Sequence, residues 1–432
     1  MERWSQLSTV YSRPSPFGNE TGSLPNGEYE PGPGVIDTVK NARVLVIGAG
    51  GLGCEILKDL ALSGVTEIHV IDLDTIDVTN LNRQFLFRKK DVGRGKAETA
   101  AEFISKRVPG CVVKPYNCKI QDMDQEFYKQ FKVIISGLDN IEARRWLNGM
   151  LHSIVERCED EDGDEYFDGI IPMIDGGTEG FRGQARVILP KCTSCFECTM
   201  ENIPPPLGFA MCTIAETPRI PEHCIAYAYL LEWPKFFPDK KVNKDSAADM
   251  TWIYERALER SKQFNIEGVT YFKTMGVVKT IIPAVASTNA IISAACVQEA
   301  IKLLSFSGQS LNCNIMFMGA DGLYTPAMEF DRKEDCAVCG QAAEARSVKI
   351  LGSCTLGDFI EELKQNPSFQ LKKPSITSGA TSLYLTAPPA LEKATRANLT
   401  KSLTELGLEP GSIVGVTDPV LFQPTSIKLE LL

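Results

Sequence analysis

Histidine is almost absent from this chain. Only three histidines occur among 432 residues, at positions 69, 152 and 223. None stands at the spacing that a mixed histidine–cysteine metal site uses. None lies close in sequence to Cys212, a candidate nucleophile discussed below. The sequence therefore offers cysteine rather than histidine as a metal ligand, and it gives no local signal of a Cys–His catalytic pair.

An excess of basic residues is also lacking. Lys and Arg number 45 against 55 Asp and Glu, which gives a formal net charge of −10. Nucleic acids and anionic membrane surfaces both select clustered positive charge. Neither is therefore expected as a partner, whereas a basic protein partner is compatible with this composition.

Long apolar runs are missing as well. No stretch approaches the length needed to span a bilayer, and the first residues lack the apolar core of a secretory signal. The fourteen cysteines are therefore predicted to be thiols, metal ligands or nucleophiles rather than disulfides. We expect a cytoplasmic or nuclear protein with two or three domains.

A glycine-rich loop follows the first apolar stretch. Residues 43–47 predict a buried strand, residues 54–62 have helical periodicity, and a second strand over 68–71 ends at Asp72. This order is that of a mononucleotide-binding βαβ unit, in which phosphates meet the helix N-terminus and the acidic residue accepts a hydrogen bond from ribose. Gly48 allows the tight turn, and Gly50 and Gly51 allow phosphate to approach the backbone. Gly53 allows the helix to pack closely on the sheet.

A second strand-end carboxylate occurs at Asp139, just after a predicted strand over 133–136. The carboxyl edge of an open α/β sheet is where ligands bind. Asp139 is therefore a candidate to reach a nucleotide or Mg²⁺. The alternative is a cap for the helix predicted to begin near Ile141.

Two Cys-x-x-Cys pairs predict a structural zinc site with four thiolates. One pair is Cys336 and Cys339; the other lies within the run Cys192, Cys195 and Cys198, of which we favour the last two. The sequence does not decide which of the three is the extra cysteine. An iron–sulfur run would need a fourth cysteine at position 202, where the chain has asparagine. Unliganded thiols are the alternative.

The remaining segments predict an inserted domain and a C-terminal module. A proline-rich breaker over 203–208 precedes a mostly helical stretch, and the acidic stretch 156–168 is expected to be a solvated loop. After a linker over 341–348, a β-grasp pattern follows. Its elements are an amphipathic helix over 355–364, a short helix over 400–406, and strands over 383–385, 413–416 and 427–431.

Five segments together resemble the ubiquitin-like-modifier activating enzymes. They are residues 72–85, 93–97, 137–140, 175–181 and 212–215, and the resemblance covers about residues 35–432. Within that family the chain is most similar to catalytic subunits of the neddylation (Nedd/Rub-type) branch, on the segment 184–190 and the short interval between Cys212 and Gly276. SUMO-type catalytic subunits share the Cys-Thr-Ile motif but have a larger thiol domain and a longer tail.

The resemblance implies an α/β fold. It comprises a Rossmann-like adenylation domain of ThiF/MoeB type, an inserted mainly helical catalytic-cysteine domain and a C-terminal β-grasp ubiquitin-fold domain. We expect an N-terminal arm over 1–34, the adenylation domain over 35–205 and 280–345, the cysteine domain over 206–279, and the ubiquitin-fold domain over 348–432.

The resemblance also implies roles for individual residues. The ribose is assigned to Asp72 and Asp74, the phosphates to Asn80, Arg83, Gln84 and Lys96, Mg²⁺ to Asp139, and the thioester nucleophile to Cys212. The chain departs from the family at Gly95, where proline or another residue is common. Arg186 is predicted to face the modifier's tail and to disfavour a basic residue there, since like charges repel. A surface or strand-edge arginine is the alternative.

The implied activity is ATP-dependent adenylation of a modifier's C-terminus, thioester formation on Cys212 and transfer to a conjugating enzyme's cysteine. ATP, Mg²⁺ and structural Zn²⁺ are the expected cofactors, and a regulatory subunit is expected to complete a heterodimer. An NAD-dependent oxidoreductase explains the glycine loop but leaves Arg83, Lys96 and the cysteines unexplained. A non-catalytic partner half is expected to lose Asp72, Lys96, Asp139 or the thiol, and this chain keeps all four.

Overall fold

The computed structural model describes residues 4–11, 34–160, 162–202, 217–238, 240, 242–243, 246–279, 284–305, 313–334, 336–340, 346–379 and 381–431. The chain forms two compact units. The first comprises Met1–Ile203 with Ala284–Leu432, and the second comprises Pro204–Pro283. The range 206–279 predicted for the cysteine domain lies inside the second unit. Among the described residues, no helix has the length and apolar character needed to cross a membrane.

The described strands are β1 Arg43–Ile47, β2 Glu67–Ile71, β3 Val112–Tyr116, β4 Val133–Ser136, β5 Glu156–Glu159, β6 Glu165–Asp168, β7 Met173–Glu179, β8 Arg182–Ile188, β9 Asn314–Met318, β10 Ala327–Met328, β11 Arg346–Ile350, β12 Ser375–Ser378, β13 Thr381–Tyr384, β14 Ile413–Thr417 and β15 Thr425–Leu431. The described α-helices are α1 Ser5–Tyr11, α2 Gly34–Asn41, α3 Gly51–Leu62, α4 Lys96–Arg107, α5 Gln125–Tyr128, α6 Ile141–Ile154, α7 Pro221–Tyr227, α8 Trp233–Phe236, α9 Ala247–Gln263, α10 Tyr271–Lys279, α11 Ala286–Ser305, α12 Leu356–Gln365 and α13 Pro389–Thr395.

The main sheet of the first unit has the strand order β10-β9-β8-β7-β4-β1-β2-β3. Its five strands from β7 to β3 are parallel, and β8, β9 and β10 extend it in antiparallel fashion. A parallel arrangement brings the carboxyl ends of β1, β2 and β4 to one edge, which is where open α/β sheets bind ligands. The glycine loop, Asp72 and Asp139 therefore share that edge.

Both faces of this sheet are covered, which explains why β1 is apolar at every position after Arg43. Alternate residues of a strand point to opposite faces. Val44 and Val46 belong to the core that includes α3 and α11. Leu45 and Ile47 belong to the core that includes α6 and the four paired cysteines. The cysteine cluster thus lies on the face opposite to α3.

The C-terminal module is a β-grasp with strand order β11-β15-β14-β12-β13. The pair β11 and β15 is parallel and the other pairs are antiparallel. Helix α12 begins at a reciprocal capping box between Thr355 and Asp358, and its apolar side, including Phe359 and Leu363, packs on the sheet. The predicted ubiquitin-like fold is confirmed.

Three sequence predictions for local structure are wrong. The helix expected over 400–406 is absent: a 3-10 helix over Arg396–Thr400 comes first and turns follow. The expected linker 341–348 includes the start of β11, because Arg346 and the residues after it pair with β15. The expected acidic loop is an antiparallel hairpin of β5 and β6, in which Arg157 forms an ion pair with Glu165.

The second unit contains helices α7 to α10 and a π-helical segment Ala228–Glu232 between α7 and α8. Its core includes Trp233 and Ile253, both buried. Trp233 donates its indole N–H to the carbonyl of Lys240 at 2.7 Å. Residues 203–216, which contain Cys212, lie outside the described residues.

Candidate functional site

The glycine loop turns sharply at the end of β1. Gly48 has φ of +95°, a conformation that residues with a Cβ rarely adopt. A Cβ at Gly48 would lie 2.9 Å from the carbonyl oxygen of Gly137, and a Cβ at Gly53 would overlap the carbonyl oxygen of Gly48. The loop therefore brings α3 close to the strand ends, with its N-terminal N–H groups at the ligand-binding edge.

Asp72 ties this loop to the end of β2. One carboxylate oxygen accepts the backbone N–H of Ala49 at 2.6 Å, and the other accepts that of Asp74 at 2.8 Å. Burial raises the pKa of Asp72, although both N–H donors oppose the shift. Each carboxylate oxygen keeps a further lone pair for a ribose hydroxyl.

Lys96 is brought to the same edge by two contacts with Asp74. Its backbone N–H donates to the Asp74 carbonyl at 2.9 Å, and its ammonium lies 2.7 Å from Asp74 Oδ2. Gly95 is the N-cap of α4 and has ordinary extended dihedral angles. The departure from the family at Gly95 therefore leaves Lys96 at the start of the helix, facing the strand ends.

Arg83 and Gln84 approach the glycine loop from the side. Arg83 donates to the Thr79 carbonyl at 3.2 Å, and its Cγ lies 3.4 Å from the position of a Cβ on Gly51. Gln84 is buried, and its side-chain oxygen has no partner in the described structure. Both residues thus lie beside the glycine loop, and their contact with phosphates stays a prediction.

Asn80 and Asp139 lie next to helix caps, and their predicted contacts with phosphate and Mg²⁺ stay predictions. The Asn80 side-chain oxygen accepts the N–H of Asp77 at 2.9 Å in a local capping box. Helix α6 is capped by Asn140, which accepts the N–H of Ala143 at 2.7 Å. The capping alternative for Asp139 is therefore wrong: its carboxylate is exposed beside the strand end, next to Asn140.

Two residues that we did not predict as functional lie deeper at this edge. Asp175, on β7, is fully buried, and burial raises its pKa although Arg144 opposes the shift. The Arg144 side chain approaches Asp175 at 3.3 Å and donates to the carbonyls of Leu138 and Gly176 at 2.6 and 2.8 Å. Arg144 therefore connects the backbone that follows β4 to the backbone of β7.

Asn289 is a third such residue. Its side-chain oxygen accepts the hydroxyl of Thr178 at 2.7 Å, and its amide nitrogen is buried without a partner. A Cβ on Gly51 would clash with that nitrogen, so Asn289 abuts the glycine loop from the first turn of α11. The sequence offered one signal for Asn289, which is a polar residue at the start of a helix rich in small residues.

The four-cysteine cluster has the dimensions of a zinc site. The sulfur atoms of Cys195, Cys198, Cys336 and Cys339 are buried and all lie within 4.8 Å of one another. Neighbouring sulfurs are 3.3 to 3.8 Å apart, and four bonds of about 2.3 Å in a tetrahedron require about 3.8 Å. Cys192 is exposed and outside the cluster. The residues present therefore fit a tetrahedral metal ion.

The shared hydrogen bonds of the four thiols lower the pKa of Cys336 and Cys198, whereas the pKa of Cys195, raised chiefly by burial, and that of Cys339 lie well above the ordinary range. The Cys195 thiol is the largest influence that lowers the pKa of Cys336, to about 6. Thiol donors, led by Cys195, hold the pKa of Cys198 well below its ordinary range. Thiolate is the form that binds a metal.

Arg186 holds the first cysteine loop. Its guanidinium donates to the Thr199 hydroxyl at 2.6 Å and to the carbonyls of Ser194 and Cys195 at 2.9 and 2.8 Å. The side chain is buried, and β8 is flanked on both sides by strands, so the surface or strand-edge alternative is wrong. These contacts give Arg186 a structural role in the loop, and its role in modifier selectivity stays a prediction.

Comparisons with known proteins agree with this geometry. A model of the ThiF family matches residues 29–338, and a model of the E2 binding domain matches residues 349–431. A NEDD8-activating enzyme E1 catalytic subunit from Dictyostelium discoideum is 48% identical over 99% of this chain and 96% of its own length. The chain belongs to the ThiF family, among the NEDD8-activating enzyme E1 catalytic subunits.

Further relatives with this name span the chain equally well. The Drosophila melanogaster protein is 47% identical over 100% of this chain and 95% of its own length. The Caenorhabditis elegans protein is 43% identical over 100% of this chain and 98% of its own length. Among solved structures, E. coli MccB with succinimide has a TM-score of 0.49 at 21% identity, over 79% of this chain and 75% of that chain, which is too weak to support an inference.

Family membership confirms three expectations. The chain is an activating enzyme with a ThiF adenylation domain, its adenylation chemistry uses ATP, and its C-terminal module is an E2 binding domain, which indicates a conjugating enzyme as a partner. The oxidoreductase interpretation is therefore wrong.

Proposed function

We propose that this chain is the catalytic subunit of a heterodimeric enzyme that activates a NEDD8-type modifier. The enzyme adenylates the modifier's C-terminal carboxylate, transfers the acyl group to Cys212, and passes it to a conjugating enzyme's cysteine. Asp72 and Arg83 lie against the glycine loop, and Lys96 is held at the same sheet edge by Asp74. This arrangement supports the adenylation step. The E2 binding domain in the same chain supports the transfer step.

In the first step the modifier's carboxylate oxygen attacks the α-phosphorus of ATP, and pyrophosphate leaves. Negative charge builds up on the transferring phosphate, and Lys96 and Arg83 offset that charge from fixed positions. Asp72 orients the nucleotide through the ribose. Asp139 would hold Mg²⁺, which when bound neutralises phosphate charge.

In the second step the Cys212 thiolate attacks the carbonyl carbon of the acyl-adenylate. The bond to the phosphate oxygen breaks, and AMP leaves with the electron pair. The acyl phosphate is already activated, so no strong base is needed, and about 3% of an ordinary thiol is thiolate at neutral pH. The thioester then exchanges onto the thiolate of a conjugating enzyme.

The four-cysteine cluster would hold Zn²⁺ in a structural role. Four thiolates complete a tetrahedron and leave no position for substrate. A regulatory subunit would complete the heterodimer and bring an arginine to the ATP site. We place the enzyme in the cytoplasm, the nucleus or both.

The decisive experiment combines ATP–pyrophosphate exchange with non-reducing gels on the heterodimer. Cys212→Ala should leave exchange intact and abolish the thiol-reducible adduct with NEDD8. Cys192→Ala is the matched control, because Cys192 is an exposed cysteine of the first unit, and it should keep both activities. An adduct that persists on Cys212→Ala would refute the assignment of the nucleophile. SUMO and ubiquitin are assayed in parallel: preferential charging of SUMO would favour the SUMO-type alternative.

A further inference from the structure

The ubiquitin-fold module touches the loop that carries Cys195 and Cys198. Gln370 donates its side-chain N–H to the Met200 carbonyl at 3.3 Å, and the Ser368 hydroxyl donates to Glu201 at 2.8 Å. Close by, Lys372 forms an ion pair with Glu142 on α6. Residues 366–372 of the module therefore contact helix α6 and the loop that carries Cys195 and Cys198, which we call the metal loop because its cysteines would hold the metal ion.

Arg145 lies at the centre of this contact. Its Nε and Nη2 donate to the two carboxylate oxygens of Glu197 at 2.6 and 3.0 Å. Its Nη1 donates to the carbonyls of Phe369 and Gln370 at 2.8 and 3.3 Å. Arg145 and Glu197 are both buried. One side chain thus joins a metal-loop residue to the backbone of the ubiquitin-fold module.

The position of Glu197 depends on the cysteine cluster. Glu197 stands between Cys195 and Cys198, whose sulfurs would both ligate the metal. The neighbouring Phe196 N–H donates to the Asn148 side-chain oxygen at 3.1 Å. A metal ion that fixes both cysteines therefore also fixes the Glu197 carboxylate, to which Arg145 donates two hydrogen bonds.

An aromatic contact and a cavity lie beside Arg145. Phe422 of the module lies against Gly149 and packs edge-on to Trp146, with ring centroids 5.4 Å apart. Next to them is a cavity of about 240 Å³, whose lining includes Arg145, Phe369 and Phe422. The polar contacts of Arg145 border this cavity and, together with the packing of Phe422 on Trp146, hold the module against α6.

We propose that Arg145 is a positioning residue for the onward transfer step. It couples the metal-bound cysteine loop to the ubiquitin-fold module and thereby fixes the orientation in which the module presents a conjugating enzyme. This proposal rests on the proposed function, in which the module recruits that enzyme. The residues assigned to adenylation take no part in this contact, and we expect adenylation and Cys212 charging to be independent of it.

The test compares two variants with one control. Arg145→Met removes the link but leaves Glu197 buried without its cation, which costs stability. The double variant Arg145→Met/Glu197→Met removes the link without leaving a buried charge, so it tests the proposal even if the single variant folds poorly. Arg157→Met is the control, because Arg157 is exposed on the β5–β6 hairpin.

The readouts are pyrophosphate exchange, single-turnover charging of Cys212, single-turnover transfer to the conjugating enzyme, and hydrogen exchange at the amides of residues 369–371. In the double variant we expect transfer to slow by about tenfold, as orientation is lost, with exchange and charging unchanged. The amides of 369–371 should exchange faster. Removal of the metal from the wild-type protein by a chelator should also speed their exchange, while Arg157→Met should behave as wild type.

Transfer at the wild-type rate in the double variant would overturn the proposal. Faster transfer would overturn it too, because Arg145 would then restrain the module rather than position it. An equal loss of pyrophosphate exchange and transfer would indicate general destabilisation, which also contradicts it. Failure of the proposed function itself is distinguishable, since the wild-type protein would then form no adduct at all.

Discussion

The ammonium of Lys96 lies 2.7 Å from a carboxylate oxygen of Asp74. The lysine is nearly buried, whereas the Asp74 side chain is 58% exposed, so solvent screens the pair and it adds little to stability. Its effect is positional: it holds the lysine at the edge of the sheet before a nucleotide arrives. A preorganised cation stabilises developing phosphate charge without having to be reoriented during the reaction.

Lys96→Met should therefore reduce ATP–pyrophosphate exchange by about 10²- to 10³-fold, the usual cost of removing a charge-stabilising group. The exchange assay on the purified heterodimer measures this directly. Lys106→Met serves as the control, since Lys106 is exposed on the same helix, and it should be neutral. Wild-type exchange in Lys96→Met would show that the phosphate site is misassigned.

Asp72 should make stability depend on pH in an unusual direction for a carboxylate. Burial raises the pKa of Asp72 above 3.8, so this group stabilises the fold below its ordinary pKa, and the contribution is lost as pH rises through the raised pKa. Asp72→Asn stays neutral at every pH. Relative to the wild type, the variant should gain stability as the pH rises from about 3 to about 7, while it loses nucleotide affinity.

Thermal melts across that pH range, with ATP titrations at neutral pH, check both parts of this prediction. Asp37→Asn, on a largely exposed carboxylate, is the control and should show no such trend. A stability difference between wild type and Asp72→Asn that does not change with pH would contradict the role of burial.

The cysteine cluster should carry about one zinc ion per chain. Cys336→Ser should lower both the metal content and the folded yield, because one ligand of a closed site is lost, whereas exposed Cys192→Ser should keep both. Elemental analysis and the recovery of soluble protein measure these effects. A stable protein that is active without metal would refute the zinc assignment.

Arg186→Gln separates the two roles open to that side chain. The loss of its hydrogen bonds to Ser194, Cys195 and Thr199 should cost roughly 2 to 3 kcal/mol, because buried acceptors lose a charged donor. Metal should also leave the cluster faster. Arg182→Gln, an exposed arginine on the same strand, should leave stability unchanged.

The selectivity role of Arg186 has its own readout, the ratio of charging rates with ubiquitin and NEDD8. A ratio that rises in Arg186→Gln but not in Cys336→Ser would assign selectivity to the arginine itself. An unchanged ratio would place the selectivity elsewhere.

Local sequence patterns were sufficient to predict those strands and helices whose formation depends on a single segment of the chain. The strands at 43–47 and 133–136 and the capped helix near 355–365 follow from apolar periodicity and capping signals that need no distant partner. The hairpin of β5 and β6 was missed because acidic residues dominate the segment and its few apolar residues, such as Tyr166 and Phe167, do not alternate with polar ones. The start of β11 was missed because its pairing partner, β15, lies about 80 residues further along the chain.

The sequence by itself determined the βαβ unit, the family and the chemical types in each site, because glycine spacing, strand-end acids and Cys-x-x-Cys pairs are local signals. Only the tertiary structure decided that Cys192 is outside the cluster, that Asn289 abuts the glycine loop, and that Arg145 connects the loop of Cys195 and Cys198 to the ubiquitin-fold module. The contacts of Asn289 and Arg145 join residues far apart in the chain. The exclusion of Cys192 depends on which of three neighbouring cysteines are buried. Such choices depend on how helices pack on the two faces of the sheet, which no single segment encodes.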